Sequence, residues 1–148
     1  MMNYQQVLDF WFDAEHKEFW FAKSDDFDLE IEEKFGHTVQ QAIQCELWTW
    51  RETAEGRLAE IIVLDQFSRN LFRDHPAAFA QDPLALSLAQ EAIRLGLDLS
   101  LSPEQRSFMY MPFMHSESKI IHQQALSLFE ALANPVNLDF EKKHKVII

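Results

Sequence analysis

The stretch that most constrains the fold is the apolar run Leu58–Leu64 together with the charged segment that follows it, 65–73. At 3.6 residues per turn, its apolar side chains cover much of the surface of one helix, predicted over about 54–73. Asp65, Arg69 and Arg73 are spaced i, i+4 and i+8, which predicts that they stack along one line of that helix. A charged line beside so much apolar surface requires either ion-pair partners or a ligand. We expect this helix to be among the most buried, and at least one of Asp65 and Arg69 to be largely buried.

The rest of the chain also favours helices. It contains only 3 glycines and 5 prolines in 148 residues, which indicates long regular elements and few hairpins. No run alternates polar and apolar residues for long enough to predict a strand. The sequence therefore predicts a single all-α domain over residues 1–148.

Local signals set most helix boundaries. Asn3 is predicted to cap the first helix, and the acidic run Asp25, Asp26 and Asp28 to begin the second. Gly36 within the second helix suggests that another helix approaches closely there. His75-Pro76 is expected to stop the central helix.

The second half of the chain carries similar signals. Asp82-Pro83 begins a helix that ends at Gly96, and Ser102-Pro103-Glu104-Gln105 forms a capping box. The helix after this box is predicted to end near Met111-Pro112. Another amphipathic helix follows from about Ser116, and Asn137 is expected to cap a last segment, 138–148.

Charge and composition exclude several classes of partner. A net charge of −11 disfavours nucleic acid and anionic membrane surfaces. The single cysteine, Cys45, excludes an intramolecular disulfide and favours a reducing compartment. Since there is no secretory n-region and no apolar run of membrane-spanning length, we expect a cytoplasmic protein.

The ordered motifs of the chain resemble those of the bacterial Domain of Unknown Function 924 family. Eight of them carry the resemblance across nearly the whole length: Phe10-Trp11-Phe12, Trp20-Phe21, Phe35-Gly36, Glu55-Gly56-Arg57-Leu58-Ala59, Leu64-Asp65-Gln66-Phe67-Ser68-Arg69-Asn70, Phe79-Ala80-Gln81-Asp82, Gly96-Leu97-Asp98 and Pro112-Phe113-Met114-His115-Ser116-Glu117. The resemblance implies a TPR-like right-handed array of antiparallel helix pairs. It implies no established activity.

Two departures from the family pattern stand out. Glu60 occupies a position where the family usually has a small or apolar residue. The family also continues beyond the helix that begins near Leu138, into a segment absent here. The sequence ends on Val146-Ile147-Ile148, so we expect an apolar patch there that pairs with a second copy of the chain.

The first candidate site is the charge line of the central helix, with the amides beside it: Asp65, Gln66, Arg69, Asn70 and Arg73. Two arginines can clamp a carboxylate or phosphate, with Asp65 orienting one of them. The alternative is a structural ion-pair network. Both readings remain open from the sequence alone.

The second candidate is His115-Ser116-Glu117, near His122. Its spacing does not match the i, i+4 arrangement of a metal site on a helix, so no metal and no cofactor is predicted. Glu117 could act as a general base, or Ser116 and Glu117 could cap the next helix. We expect His115 or Glu117 to lie within salt-bridge reach of Arg69 or Arg73.

A third group consists of Asp82, Asp98 and Arg106. Asp82 is explained by the start of a helix and Asp98 by the loop after one, with Arg106 bridging to either. No phosphate-binding glycine loop, CxxC pair, nucleophile elbow or HExxH motif occurs.

These observations favour a binding or scaffold protein that holds a peptide or a small anionic ligand between helices. The alternative is a hydrolase-like enzyme that uses His115, Glu117 and Asp65, with or without a metal. A third reading is a truncated family member without a complete site.

Overall fold

The computed structural model describes residues 2–132 and 135–147, of which 135–137, 146 and 147 are described by their backbone alone. Within these residues the structure consists of helices and connecting turns, without a strand. The prediction of an all-α protein is therefore confirmed. The chain divides into two compact units, Met1–Gln81 and Asp82–Ile148, called below the N-terminal and C-terminal units. The TPR-like pairing of the helices stays a prediction.

The N-terminal unit is built around a cluster of aromatic rings. Its helices are α1 (Tyr4–Trp11), α2 (Asp25–Ile43), α3 (Ala54–Ile62) and α4 (Ser68–Leu71), with 3₁₀ turns at Lys17–Phe19, Trp48–Glu52 and Pro76–Ala78. Helix α1 packs against α3, and α2 packs against α4. Asn3 caps α1 as predicted, because its side chain accepts a hydrogen bond from the backbone N–H of Gln6. Phe10, Phe35 and Phe67 meet in the core, with ring centroids 5.0–6.3 Å apart.

The central helix differs from the prediction in two ways. A π-helical turn, Val63–Phe67, separates α3 from α4, and the backbone N–H of Ser68 bonds to the carbonyl of Val63 five residues earlier. The helix then ends at Leu71, so Arg73 lies in the following turn, next to Asp74 at φ +66°. The apolar surface was interpreted correctly, since α3 and the π turn are buried almost throughout. The continuous helix to Arg73 was wrong, because spacing alone does not reveal an extra residue in one turn.

Close backbone approach occurs at Gly56 rather than at Gly36. A Cβ on Gly56 would lie 1.9 Å from the backbone oxygen of Trp50, so only glycine fits there. A Cβ on Gly36 would meet nothing nearer than the Cγ of Glu32 at 4.0 Å. The suggestion that Gly36 admits a neighbouring helix was therefore wrong.

The C-terminal unit contains α5 (Asp82–Arg94), a 3₁₀ turn at Leu97–Ser100, α6 (Pro103–Met114), α7 (Lys119–Leu132) and α8 (Pro135–Ile147). Helix α6 packs against α5 and α7, and α7 packs against α8. Gly96 adopts the predicted left-handed conformation at φ +73°. Both hydrogen bonds of the predicted capping box between Ser102 and Gln105 are formed. No helix in the described residues is long and apolar enough to cross a membrane.

Three predicted boundaries in this unit were wrong. Helix α6 continues through Pro112 to Met114, because residues 107–114 are all buried and their packing outweighs the roughly 3 kcal/mol cost of an internal proline. Helix α8 begins at Pro135, which places Asn137 inside it rather than at its cap. Ser118, and not Ser116 or Glu117, accepts the capping bond from the first turn of α7. The predicted apolar end falls on the side chains of 146–148, outside the described residues.

Candidate functional site

Arg69 and Asp65 form the first of two ion pairs in the predicted charge line. Asp65 lies on the π turn and is fully buried, which confirms that one member of the pair is inaccessible. Nη1 of Arg69 donates to the backbone oxygen of Asp65 at 2.8 Å and to Oδ1 at 3.3 Å. The amide of Gln66 donates to Oδ2 at 2.8 Å, and the ring of Phe79 lies 5.2 Å from the Arg69 guanidinium. The Asp65 carboxylate is thus bound on both oxygens.

Arg73 and Asn70 form a separate group around Asp28 of α2. Nε and Nη2 of Arg73 donate to the two carboxylate oxygens of Asp28 at 2.7 and 3.1 Å. The amide of Asn70 donates to the same carboxylate at 2.8 Å. Hydrogen bonding to Asp28 raises the pKa of Arg73. The predicted single line Asp65–Arg69–Arg73 was therefore wrong, because the end of the helix directs Arg73 to a different carboxylate.

A third buried ion pair was not predicted. Glu60 is fully buried on α3, and Arg51 donates to its two oxygens at 2.7 and 2.8 Å. Arg57 in turn donates to the backbone oxygen of Arg51 at 2.8 Å. The unusual glutamate noted in the sequence thus has a dedicated partner nine residues earlier. The sequence did contain a signal for this pair, because a charged residue such as Glu60 on an apolar helix face requires a counter-ion.

His115 and Glu117 lie in the C-terminal unit. His115 is the C-cap residue of α6 and is half-buried, whereas Glu117 is exposed in the connection to α7. Their expected approach to Arg69 or Arg73 stays a prediction. Over residues 2–132 and 135–147, no group of three His, Cys, Asp or Glu side chains is arranged to hold a metal ion.

His122 and Glu141 form a fully buried pair that links α7 to α8. Nδ1 of His122 lies 2.5 Å from Oε1 of Glu141, and Nε2 lies 2.5 Å from the backbone oxygen of Ser116. Burial raises the pKa of Glu141. Since both side chains are inaccessible to solvent, the pair positions the helices and does not reach a substrate.

Tyr110 connects two residues that were expected to bond directly. Its hydroxyl donates to Oδ2 of Asp98 at 2.5 Å and accepts from Nε and Nη2 of Arg106 at 3.2 and 3.1 Å. Arg106 therefore reaches Asp98 through Tyr110 rather than by a direct bridge. Burial, with the bond to Asp98, raises the pKa of Tyr110 to about 12.

An open groove in the C-terminal unit was not predicted. It has a volume of about 810 Å³, within the roughly 300–1,000 Å³ range of ligand pockets. Helices α5 and α7 supply its walls, and the buried ring of Phe113 on α6 contributes between them. The remaining lining residues are Gln90, Ile93 and Arg94 from α5, and Ile120, Gln123, Gln124, Ser127 and Leu128 from α7. We call this surface the α5–α7 groove.

The α7 wall of the groove is opposite the buried side of the same helix. The wall residues recur at three- and four-residue spacing, whereas His122, Ala125 and Phe129 are buried at positions about half a turn away. Ile120 is 70% exposed although it is strongly apolar. An isoleucine outside the buried stripe was the available sequence signal for this surface.

The comparisons with known proteins agree with the sequence motifs. A family model described as bacterial protein of unknown function (DUF924) matches residues 7–148. The chain belongs to this family. This DUF924 member is also similar to the solved structure of the protein of unknown function ATU0120 from Agrobacterium tumefaciens. That similarity has 37% sequence identity and a TM-score of 0.91, and covers 97% of this chain and 81% of that one. No curated protein matches this chain. The resemblance found in the sequence is confirmed, and neither description names an activity.

Proposed function

We propose that this DUF924 protein is a binding module that takes a short peptide in an extended conformation in the α5–α7 groove. The observation that carries the proposal is a groove of adequate volume that combines exposed apolar side chains with several side-chain amides. Apolar pockets with a few polar groups are the usual form of a binding site. We further propose, from composition, that the protein acts in the cytoplasm.

The amides of the groove favour an extended peptide over a helical one. Gln90, Gln123 and Gln124 are exposed, and none has a side-chain hydrogen-bond partner within the described part of the chain. Each amide offers both a donor and an acceptor. An extended backbone presents free N–H and C=O groups to such amides, whereas a helix satisfies its own. Ile93, Ile120 and Leu128 can then contact the side chains of the peptide.

The arginines of the N-terminal unit are poorer candidates for anion binding. Two donors of Arg73 are occupied by Asp28, and Arg69 is bonded to Asp65. An anion that takes the donors now bound to either carboxylate leaves a buried or half-buried charge uncompensated. These residues support a structural role, while the groove has open polar groups.

The test is selection from a randomised library of short peptides, followed by titration of the peptide that binds best. Binding should shift the methyl resonances of Ile93, Ile120 and Leu128 in an NMR spectrum of the labelled protein. Ile120→Glu should weaken binding by at least about tenfold, because it places a charge among the apolar contacts.

A matched control is available in the same unit. Leu99 is 72% exposed, close to the 70% of Ile120, and does not line the groove. Leu99→Glu should leave binding unchanged, and both variants should retain wild-type stability. Failure of every library peptide to bind, or equal weakening by the two substitutions, would contradict the proposal.

A further inference from the structure

The groove differs in charge from the chain that contains it. The whole chain has a net charge of −11, but the C-terminal unit accounts for only −2 of it, with six basic and eight acidic residues. Among the described lining residues of the α5–α7 groove, Arg94 is the charged one, and its charge is positive. Arg94 is therefore the lining residue that can attract a negative group of a ligand.

Arg94 is held by a partner that can be exchanged. Its Nε and Nη2 donate to the two oxygens of Glu91 at 2.9 and 2.5 Å, three residues earlier on α5. The two side chains are 68% and 45% exposed, so their pairing is screened by water and contributes little to stability. Glu91 itself does not line the groove. Exchange of Glu91 for a carboxylate of the peptide conserves an ion pair of Arg94.

The position of Arg94 defines what the peptide must carry. Arg94 and Gln90 are four residues apart on α5, and Ile93 lies beside them on the same wall. A carboxylate bound to the guanidinium therefore lies next to the apolar contacts. Both oxygens of that carboxylate can accept from the planar guanidinium at once.

We infer that the α5–α7 groove selects peptides in which a carboxylate lies beside an apolar side chain, and that Arg94 binds this carboxylate. This inference rests on the proposed function and adds its specificity. The inferred carboxylate is that of an acidic side chain of the extended peptide, and the experiment tests this source against the C-terminal carboxylate of the peptide.

The experiment uses fluorescein-labelled peptide pools with blocked ends, a fixed leucine and randomised neutral residues elsewhere. Next to the leucine, the pools carry a fixed glutamate, glutamine or lysine. A further glutamine pool has a free C-terminal carboxylate. The glutamate pool should bind roughly three- to tenfold more tightly than the blocked glutamine pool, and the lysine pool should bind weakest. The preference should decrease as salt is added.

Two variants assign the preference to Arg94. Arg94→Gln should abolish the difference between glutamate and glutamine pools, yet retain binding of the glutamine pool. Glu91→Gln should strengthen binding of the carboxylate pools, because Arg94 no longer has an internal partner. Equal binding of all pools by the wild-type protein, or a preference for the free C-terminal carboxylate alone, overturns the inference and leaves the proposed function standing. If no pool binds, the proposed function itself fails.

Discussion

In the N-terminal unit buried carboxylates are bound by arginines, whereas in the C-terminal unit they are bound by tyrosine and histidine. Glu60 and Asp65 contact Arg51 and Arg69, whose guanidinium groups stay protonated at all ordinary pH values. Asp98 accepts from the Tyr110 hydroxyl, and Glu141 contacts the His122 ring, so the bonds to these two carboxylates come from other groups than guanidinium. The comparison indicates that the first unit depends on fixed charge, whereas in the second unit burial raises the pKa values of Tyr110 and Glu141.

The largest loss of stability is expected at the Arg51–Glu60 pair of the N-terminal unit. Arg51→Met leaves the Glu60 carboxylate buried without a counter-ion, because its side chain is only 1% exposed. Loss of one partner of a buried pair costs about 3–5 kcal/mol of unfolding free energy. Urea denaturation of wild type and variant measures this loss.

Two further variants show whether the loss comes from the uncompensated charge. Replacing both partners, as Arg51→Met with Glu60→Met, should recover most of the stability. Arg94→Met breaks the exposed pair of the C-terminal unit and should leave the unfolding free energy nearly unchanged. Similar losses of unfolding free energy in Arg51→Met and Arg94→Met would contradict the expected difference between the buried and the exposed pair.

The next effect concerns Tyr110 at alkaline pH. Its pKa is raised to about 12 in the folded protein, so the folded state favours the protonated phenol. The stability associated with this proton is fully present below about pH 10 and is lost as the pH rises towards 12, by roughly 2–3 kcal/mol. Denaturation across this pH range should show the loss in wild type and not in Tyr110→Phe.

The only other tyrosine provides the matched control. Tyr4→Phe in the N-terminal unit should retain the alkaline loss of the wild type, since Tyr110 is unchanged. If Tyr110→Phe lost stability with pH in the same way as Tyr4→Phe, the alkaline sensitivity would have another origin.

A smaller effect is expected at Glu141. Burial raises the pKa of its carboxyl group, so the folded state favours the protonated form. The stability associated with this proton is present below the ordinary glutamate value of about 4.3 and decreases as the pH rises through the folded-state value. Wild type should therefore lose stability relative to Glu141→Gln as the pH rises to neutrality. A difference that stays constant with pH, measured by urea denaturation, would contradict this assignment.

Features that depend on neighbouring residues were predictable from the sequence. The caps formed by Asn3 and Ser102, and the left-handed Gly96, each follow from the chemistry of one short segment. The burial of Asp65 followed from the apolar helix around it. These local signals also predicted the all-α fold class, because they indicated helices along the whole chain.

Features that depend on tertiary packing were not predictable. Periodicity did not show the π turn, so Arg73 was assigned to the wrong partner, and Pro112 continues its helix because the surrounding residues are buried. The groove combines residues of α5 with residues of α7 about thirty positions later, such as Gln90 and Ile120. Each of these residues is ordinary in its own helix, and only their juxtaposition forms a candidate site.

The central claim is that the charged pairs of the N-terminal unit hold the fold, whereas the groove of the C-terminal unit binds the peptide. Thermal unfolding of Arg69→Met and Ile120→Glu, with and without the best library peptide, tests this claim directly. Arg69→Met should lower the melting temperature by several degrees and keep the stabilisation given by the peptide. Ile120→Glu should keep the melting temperature and lose that stabilisation. The reverse pattern, with Arg69→Met keeping the melting temperature and losing the peptide effect, would place binding at the arginines and contradict the account.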